Sequence, residues 1–204
     1  RLGAFDQATF ADADVLVVSP GMALATPTVA AAVARGVPAL GDVELFAQAI
    51  VGSNSKVIAI TGSNGKSTVT TMVGEMCKAA GLKTEVAGNI GLPVLDALTE
   101  WRERGETPDV WVLELSSFQL ETTSSLHPDS AAVLNVTEDH LDRYDGMPGY
   151  AKAKARVSAG NGVQVLNRED SWCQKMAQAD REVIWFGADA PRAASEYGLV
   201  EIAG

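Results

Sequence analysis

The densest run of chemistry-bearing residues is Gly62-Ser63-Asn64-Gly65-Lys66-Ser67-Thr68. A phosphate group needs several main-chain N–H donors converging on it, and glycines let a chain curl tightly enough to present them. The segment follows the β-branched run Lys56 to Thr61 and precedes a helix-forming stretch, Val69 to Ala80, stopped by Gly81. A helix starting there adds partial positive charge at the same place. Lys66 supplies a full charge for the β- and γ-phosphates of a nucleotide, and the Ser67 hydroxyl can ligate Mg²⁺. The general phosphate-loop pattern has a further glycine four residues ahead of its Gly-Lys pair. Here that place is held by Ile60, so the loop is a shortened form.

Nucleotide chemistry with Mg²⁺ calls for hard oxygen ligands at strand ends near such a loop. Glu114 stands near the end of the apolar run Val110 to Leu115, between Leu113 and Leu115. A carboxylate is costly to bury there unless it is paired or holds a metal. The segment Asn135 to Arg143 follows the apolar strand Ala131 to Leu134, so its polar groups fall at the carboxyl edge of a sheet. It gathers Glu138, Asp139, His140 and Asp142, and this company gives His140 a functional reading. His127, just before Pro128, reads as structural. Lys152 and Lys154, on a helix after Gly149, read from spacing alone as solvated lysines.

These groups need a scaffold, and the hydrophobic pattern supplies one. Expected strands are Val15 to Val18, Val37 to Leu40, Lys56 to Thr61, Lys83 to Ala87, Val110 to Leu115, Ser130 to Val136, Gly162 to Leu166 and Val183 to Phe186. Between them lie expected helices at Thr28 to Arg35, Val43 to Ile50 with Asp42 as N-cap, Val69 to Ala80, Pro93 to Arg104, Tyr150 to Ala159 and Ser171 to Ala179. Strand–helix alternation predicts an α/β fold with a mostly parallel sheet. The polar stretch Gly52 to Ser55 reads as a boundary, dividing the chain into residues 1–50 and 51–204. Residues 188–204 carry no clear pattern.

The 204 residues include 26 acidic and 16 basic side chains, a net charge of −10. That balance argues against broad nucleic-acid binding, which needs a basic face. No apolar run approaches the ~20 residues of a membrane helix. Cys77 and Cys173 lie far apart, without the spacing of a zinc site, and read as small apolar residues of a reducing, cytoplasmic setting. No secretory leader is expected, and the missing initiator Met suggests that the chain starts partway through a longer protein.

Four segments in order carry a resemblance. Ile60 to Thr68, Gly88-Asn89-Ile90-Gly91, Glu114-Leu115-Ser116-Ser117-Phe118-Gln119-Leu120 and Asn135 to Asp142 resemble the successive signatures of the Mur ligase family, ATP-dependent amide-forming enzymes of peptidoglycan precursor synthesis. The shortened loop is that family's form. The segment after Glu114 is similar to that of the D-glutamate-adding branch. The resemblance implies a central P-loop-type domain over residues 51–204, preceded by the latter part of a Rossmann-like UDP-binding domain over residues 1–50. It implies joining of D-glutamate to UDP-N-acetylmuramoyl-L-alanine through an acyl phosphate. Gly62 to Thr68 would hold ATP. Ser67, Glu114, His140 and Lys154 would bind two Mg²⁺ ions, with Lys154 carbamylated in the pattern Tyr150-x-x-x-Lys154. Lys66, Asn89, His140 and Lys154 would act in catalysis. Ser19, Pro20, Gly21, Asn89, Ser116, Gln119 and His140 would contact the muramoyl substrate. The expected partners are these small molecules, and the expected state is a monomer. The readings weighed against it are a folylpolyglutamate synthase-like ligase, which the Ser-Ser-Phe-Gln run disfavours, and a nucleotide-binding regulatory module.

Overall fold

The computed structural model describes residues 6–201, so the outermost ends of the two expected domains lie outside the described residues. A small parallel sheet pairs β1 (Leu16–Val17) with β2 (Ala39–Leu40), joined by α1 (Pro27–Ala34). The larger sheet holds β3 (Lys56–Thr61), β4 (Thr84–Gly88), β5 (Val110–Glu114), β6 (Ser130–Val133), β7 (Val163–Asn167), β8 (Val183–Phe186) and β9 (Glu196–Tyr197). Its order is β4-β5-β3-β6-β7-β8-β9, with every pairing parallel. The expected α/β class and parallel sheet are therefore what the chain forms.

Alternation along the central strands divides the core. Val57, Ala59, Trp111 and Leu113 face one layer, built from α2 (Asp42–Ala49), α4 (Val94–Glu103) and α6 (Gly146–Ala155). Ile58, Ile60, Val110 and Val112 face the other, under Val69 and Val73 of α3 (Lys66–Ala79). Trp111 meets the Phe46 ring edge to face, with centroids 4.9 Å apart. Helix α2, grouped by sequence with the first fifty residues, thus sends Val43, Phe46 and Ala47 into the core of the larger sheet.

Several boundaries differ from expectation for local reasons. Helix α3 starts at Lys66 rather than Val69, because Gly65 takes a left-handed conformation (φ 80°) that feeds the loop directly into the helix. Asp42 is not an N-cap; Gly41 holds that position and Asp42 lies in the first turn of α2. A short helix, α5 (Ser117–Glu121), was not expected; Ser116 caps it through a reciprocal pair with Gln119. Helix α6 begins at Gly146, with Pro148 in its first turn, and gives way at Arg156–Ser158 to a 3-10 turn. Helix α7 covers only Ser171–Gln174, started by Asp170, whose carboxylate accepts from Trp172 and Cys173 N–H. Strand β9 lies in the stretch that carried no pattern. No helix among the described residues is long and apolar enough to cross a membrane.

Glu44 is an acid inside this scaffold, only 2% exposed. It accepts from Ser124 N (2.6 Å), Ser125 N (3.0 Å), Ser125 Oγ (2.6 Å) and Gln48 Nε2 (2.9 Å). Burial pushes its pKa up, but these donors outweigh burial and bring it down to about 2. A carboxyl depressed on folding stabilises the fold above its unfolded pKa, and that contribution drains as pH falls toward the folded value. Glu44→Gln should therefore cost about 1–2 kcal/mol at pH 7, allowing for nearby water. Urea unfolding at a series of pH values should show the gap to wild type closing between pH 4.5 and about 2.

Candidate functional site

Parallel pairing puts the carboxyl ends of β3, β5 and β6 side by side, with Ile60 opposite Glu114 and Thr61 opposite Val133. The loop from Gly62 to Gly65 leaves this edge. Thr61 Oγ1 donates to Leu115 O (2.7 Å), anchoring its root. Its shape is held from the segment after β6. Asn135 Oδ1 accepts from Ser63 N (3.1 Å) and Asn64 N (2.8 Å), and Asn135 Nδ2 donates to Asn64 O (3.0 Å). Ser63 Oγ donates to Thr137 O (3.0 Å), accepts from Thr137 N (3.0 Å) and lies 3.1 Å from Tyr150 Oη. Two loop amides are thus used internally. The first amides of α3, at Lys66, Ser67 and Thr68, have no acceptor inside the helix and are the ones free to meet an anion. Ser67 and Thr68 are exposed at this helix start.

Two lysines converge on the loop. Lys66 Nζ folds back to donate to Ser63 O (3.2 Å), so its ammonium lies over the curl. Lys154, on α6, is 2% exposed and donates to Gly62 O (2.7 Å), with its Nζ 4.6 Å from the Tyr150 ring centre. The solvated placement read from spacing is therefore corrected for Lys154, while Lys152 is exposed as expected. Tyr150, Ala151, Ala153 and Lys154 are the buried face of α6. Burial, with the neighbouring Lys66 charge, lowers the Lys154 pKa to about 7, against the opposing pull of Asp139.

Glu114, at the end of β5, is 1% exposed. Its Oε1 accepts from Asn89 Nδ2 (2.8 Å), and its main-chain O accepts from Asn89 N (2.8 Å). Gly88 permits this approach: its φ is 106°, and a Cβ there would fall 2.4 Å from Glu114 O. Glu114 Oε2 is buried without a partner. A bare, desolvated carboxylate oxygen is what a hard cation would satisfy, so Glu114 fits the Mg²⁺ reading. Among the described residues, no three His, Cys, Asp or Glu side chains form a ready metal cluster. Any Mg²⁺ here would draw most of its shell from phosphate and water, the usual habit of that ion.

The remaining expected residues occupy neighbouring positions. His140 has a left-handed backbone (φ 51°), and its ring packs on Phe118 of α5 at 4.7 Å. Its Nε2 lies 3.4 Å from Asp139 Oδ2. Ser116 and Gln119 meet at the start of α5, and Gln119 Nε2 donates to Asp42 Oδ2 (3.3 Å). Ser19, Pro20 and Gly21 form a turn after β1, closed by Met22 N donating to Ser19 O (2.9 Å). His127 is exposed and sits beside Gly160. Asn135 and Thr137 were not singled out from sequence as loop supports. The available signal was an Asn at the very end of a buried strand neighbouring the loop strand.

Residues 60–200 match the family model described as the Mur ligase middle domain, and residues 1–41 match that of the MurD-like N-terminal domain. Over its whole length the chain is 58% identical to the UDP-N-acetylmuramoylalanine–D-glutamate ligase of Methylobacillus flagellatus, covering 44% of that protein. It is 57% identical to the enzyme of that name from Chromobacterium violaceum, again covering all of this chain and 44% of the relative. The chain therefore spans less than half the length of these curated relatives. Among solved structures, the MurF ligase of Thermotoga maritima in complex with ADP aligns with a TM-score of 0.60 at 18% identity, over 87% of this chain and 48% of that one. The UDP-N-acetylmuramate:L-alanyl-gamma-D-glutamyl-meso-diaminopimelate ligase from Neisseria meningitides aligns with a TM-score of 0.57 at 20% identity, over 91% and 63%. At such identities these structures speak for the fold.

Asn135→Ala removes the two acceptor bonds and the donor bond that shape the loop. At roughly 1 kcal/mol each for the bonds that matter, nucleoside triphosphate affinity should fall by about tenfold or more. Titration calorimetry on a protein of the relatives' full length checks this. Asn135→Asp should also bind more weakly than wild type, since it loses the donor to Asn64 O and sets a negative charge beside the phosphate.

Proposed function

This chain belongs to the Mur ligase family, and on that premise we propose that it is the ATP-handling part of a ligase that joins D-glutamate to UDP-N-acetylmuramoyl-L-alanine. The supporting observation is one edge of one sheet. There a curled amide loop, the ammonium of Lys66, the buried Lys154 and the half-unsatisfied carboxylate of Glu114 stand together. The identities of 57–58% to ligases of that name favour this substrate over a folate. Glu114-Leu115-Ser116-Ser117-Phe118-Gln119 carries the same preference in the sequence.

In this reading the L-alanyl carboxylate attacks the γ-phosphorus of ATP. A bond forms from carboxylate oxygen to phosphorus and the bond to ADP breaks, giving an acyl phosphate. The D-glutamate amine then attacks the acyl carbon, loses a proton and expels phosphate. Charge spreads over the phosphoryl oxygens in the first step, so fixed positive groups there lower its barrier. Lys66 and the first amides of α3 are those groups. Asn89, held against Glu114, faces the same edge and orients the reacting end of the substrate. Ser116, Gln119 and His140 line its approach, and the Ser19–Gly21 turn meets its nucleotide end.

Glu114 and Ser67 would hold a Mg²⁺ ion that neutralises charge on the phosphates when bound. His140 and a carbamylated Lys154 would hold a second. Lys154 suits that modification: a neutral amine adds to CO₂, forming an N–C bond and releasing a proton. With its pKa brought down to about 7 by burial and by Lys66, much of it is neutral at mildly alkaline pH. The product anion can accept a metal that an ammonium would repel.

The test is phosphate release by the full-length protein with ATP, D-glutamate and UDP-N-acetylmuramoyl-L-alanine, compared with a folate acceptor. Turnover with the muramoyl nucleotide alone is the expected result; turnover with the folate alone would overturn the reading. Lys66→Ala should lower kcat/KM by at least about a hundredfold. Removing dissolved CO₂ should slow turnover and bicarbonate should restore it, with the mass of one CO₂ found on Lys154. Lys154→Arg should be slow in both conditions.

A further inference from the structure

Arg143 lies just past the His140 cluster, with a side chain only 11% exposed. Its guanidinium reaches two parts of the molecule at once. On one side Nη1 donates to Pro20 O (2.7 Å) and Nη2 to Met22 O (3.2 Å). On the other, Nε and Nη2 grip the Glu121 carboxylate at the end of α5 (3.1 and 2.7 Å). The same group lies 4.1 Å from the centre of the Phe118 ring, which also packs on His140. Among the described residues, both hydrogen bonds tying the Ser19–Met22 turn to the larger body come from this one side chain.

Close packing at Gly41, Val18 and Thr122 holds the chain just ahead of the turn, but on the Arg143 side the turn is not packed against a filled interface. A cavity of about 380 Å³ opens beside the latch, bordered by Ala23, Leu24, Lys152 and Arg156 as well as Arg143. On this side, directed hydrogen bonds rather than a filled interface span the gap. The fork of Arg suits this role, because its five donors sit in one plane and can serve two carbonyls and a carboxylate together, whereas a lysine ammonium is a point charge.

We propose that Arg143 is a positioning residue that fixes the Ser19–Met22 turn relative to α5, and so sets the span between the two ends of the nucleotide-linked substrate. This rests on the functional reading above, in which that turn meets the nucleotide end and Ser116, Gln119 and His140 meet the reacting end. A substrate that must touch both ends binds well only when their separation is fixed in advance. ATP, held by the loop and α3, does not cross the gap.

The experiment uses the full-length protein with Arg143→Lys and, as a milder second variant, Glu121→Gln. Glu121→Gln keeps the bonds to Pro20 and Met22 but loosens the aim of the guanidinium. Arg143→Lys should raise KM for UDP-N-acetylmuramoyl-L-alanine roughly tenfold, leaving KM for ATP within about twofold. Glu121→Gln should raise the same KM by less. Hydrogen exchange gives a readout independent of turnover: the Met22 amide should exchange faster in Arg143→Lys, and the Ile58 amide in β3 should not. Unchanged exchange at Met22 in a folded variant overturns the latch. Faster exchange with an unchanged KM for the muramoyl nucleotide, or an equal rise in both KM values, overturns the positioning role. If wild type turns over no muramoyl nucleotide, the functional reading fails instead, and the exchange measurement still decides whether Arg143 holds the turn.

Discussion

A loop that binds phosphate must keep its amides pointing outward while its own polar groups stay satisfied, and here the answer lies in the strand next door. Asn135 takes the Ser63 and Asn64 N–H groups, while Thr137 and Tyr150 take the Ser63 hydroxyl. What is left over is the first turn of α3, with its unpaired amides and its dipole. The loop is thus defined as much by β6 and the segment after it as by its glycines. Parallel pairing of β3 with β6 makes this possible, since it ends both strands at the same edge.

The second constraint is desolvation. Lys154 and Glu114 are both removed from water, and neither is fully compensated by protein. Lys154 has one carbonyl and an aromatic face, and Glu114 has one amide donor and one bare oxygen. Glu44, equally buried, gathers four donors and rests as a stable carboxylate. The contrast separates an acid whose oxygens the protein satisfies from one with an oxygen left bare. A buried charge left half-satisfied is costly, and such groups mark sites where a ligand completes the set.

Much of this was legible before any coordinates. The β-branched run Lys56 to Thr61 forms β3 with those bounds, and Val183 to Phe186 forms β8 likewise. The loop lies where its glycines and lysine put it. What resisted reading depends on contacts between distant residues. Lys154 sits on a helix whose polar and apolar residues do not segregate cleanly, so its burial follows from docking of α6 rather than from spacing. Helix α5 is only five residues long, too short for periodicity to reveal, although its Ser116–Gln119 capping pair was a usable sign. Strand β9 is two residues long and gains its identity from pairing with β8. The role of Asn135 needs knowledge of which strand neighbours β3, which no local pattern carries.

The two lysines bring these constraints together. Lys66 and Lys154, 88 residues apart in sequence, approach the same curl, and their mutual repulsion adds to burial in drawing down the proton affinity of Lys154. The chain as a whole is acidic, with a net charge of −10, so this is a small positive focus in a negative molecule. Two outcomes relieve it. An anion seated on the loop would screen one lysine from the other and favour the protonated form of both. Conversion of Lys154 to an anion would instead remove the repulsion outright and leave Lys66 as the single cation over the phosphates. The second outcome would also add an oxygen donor beside a loop that otherwise offers the proposed Mg²⁺ only a hydroxyl and one bare carboxylate oxygen. In the proposed reading, charge balance and metal coordination would favour the same chemical state of this one buried side chain.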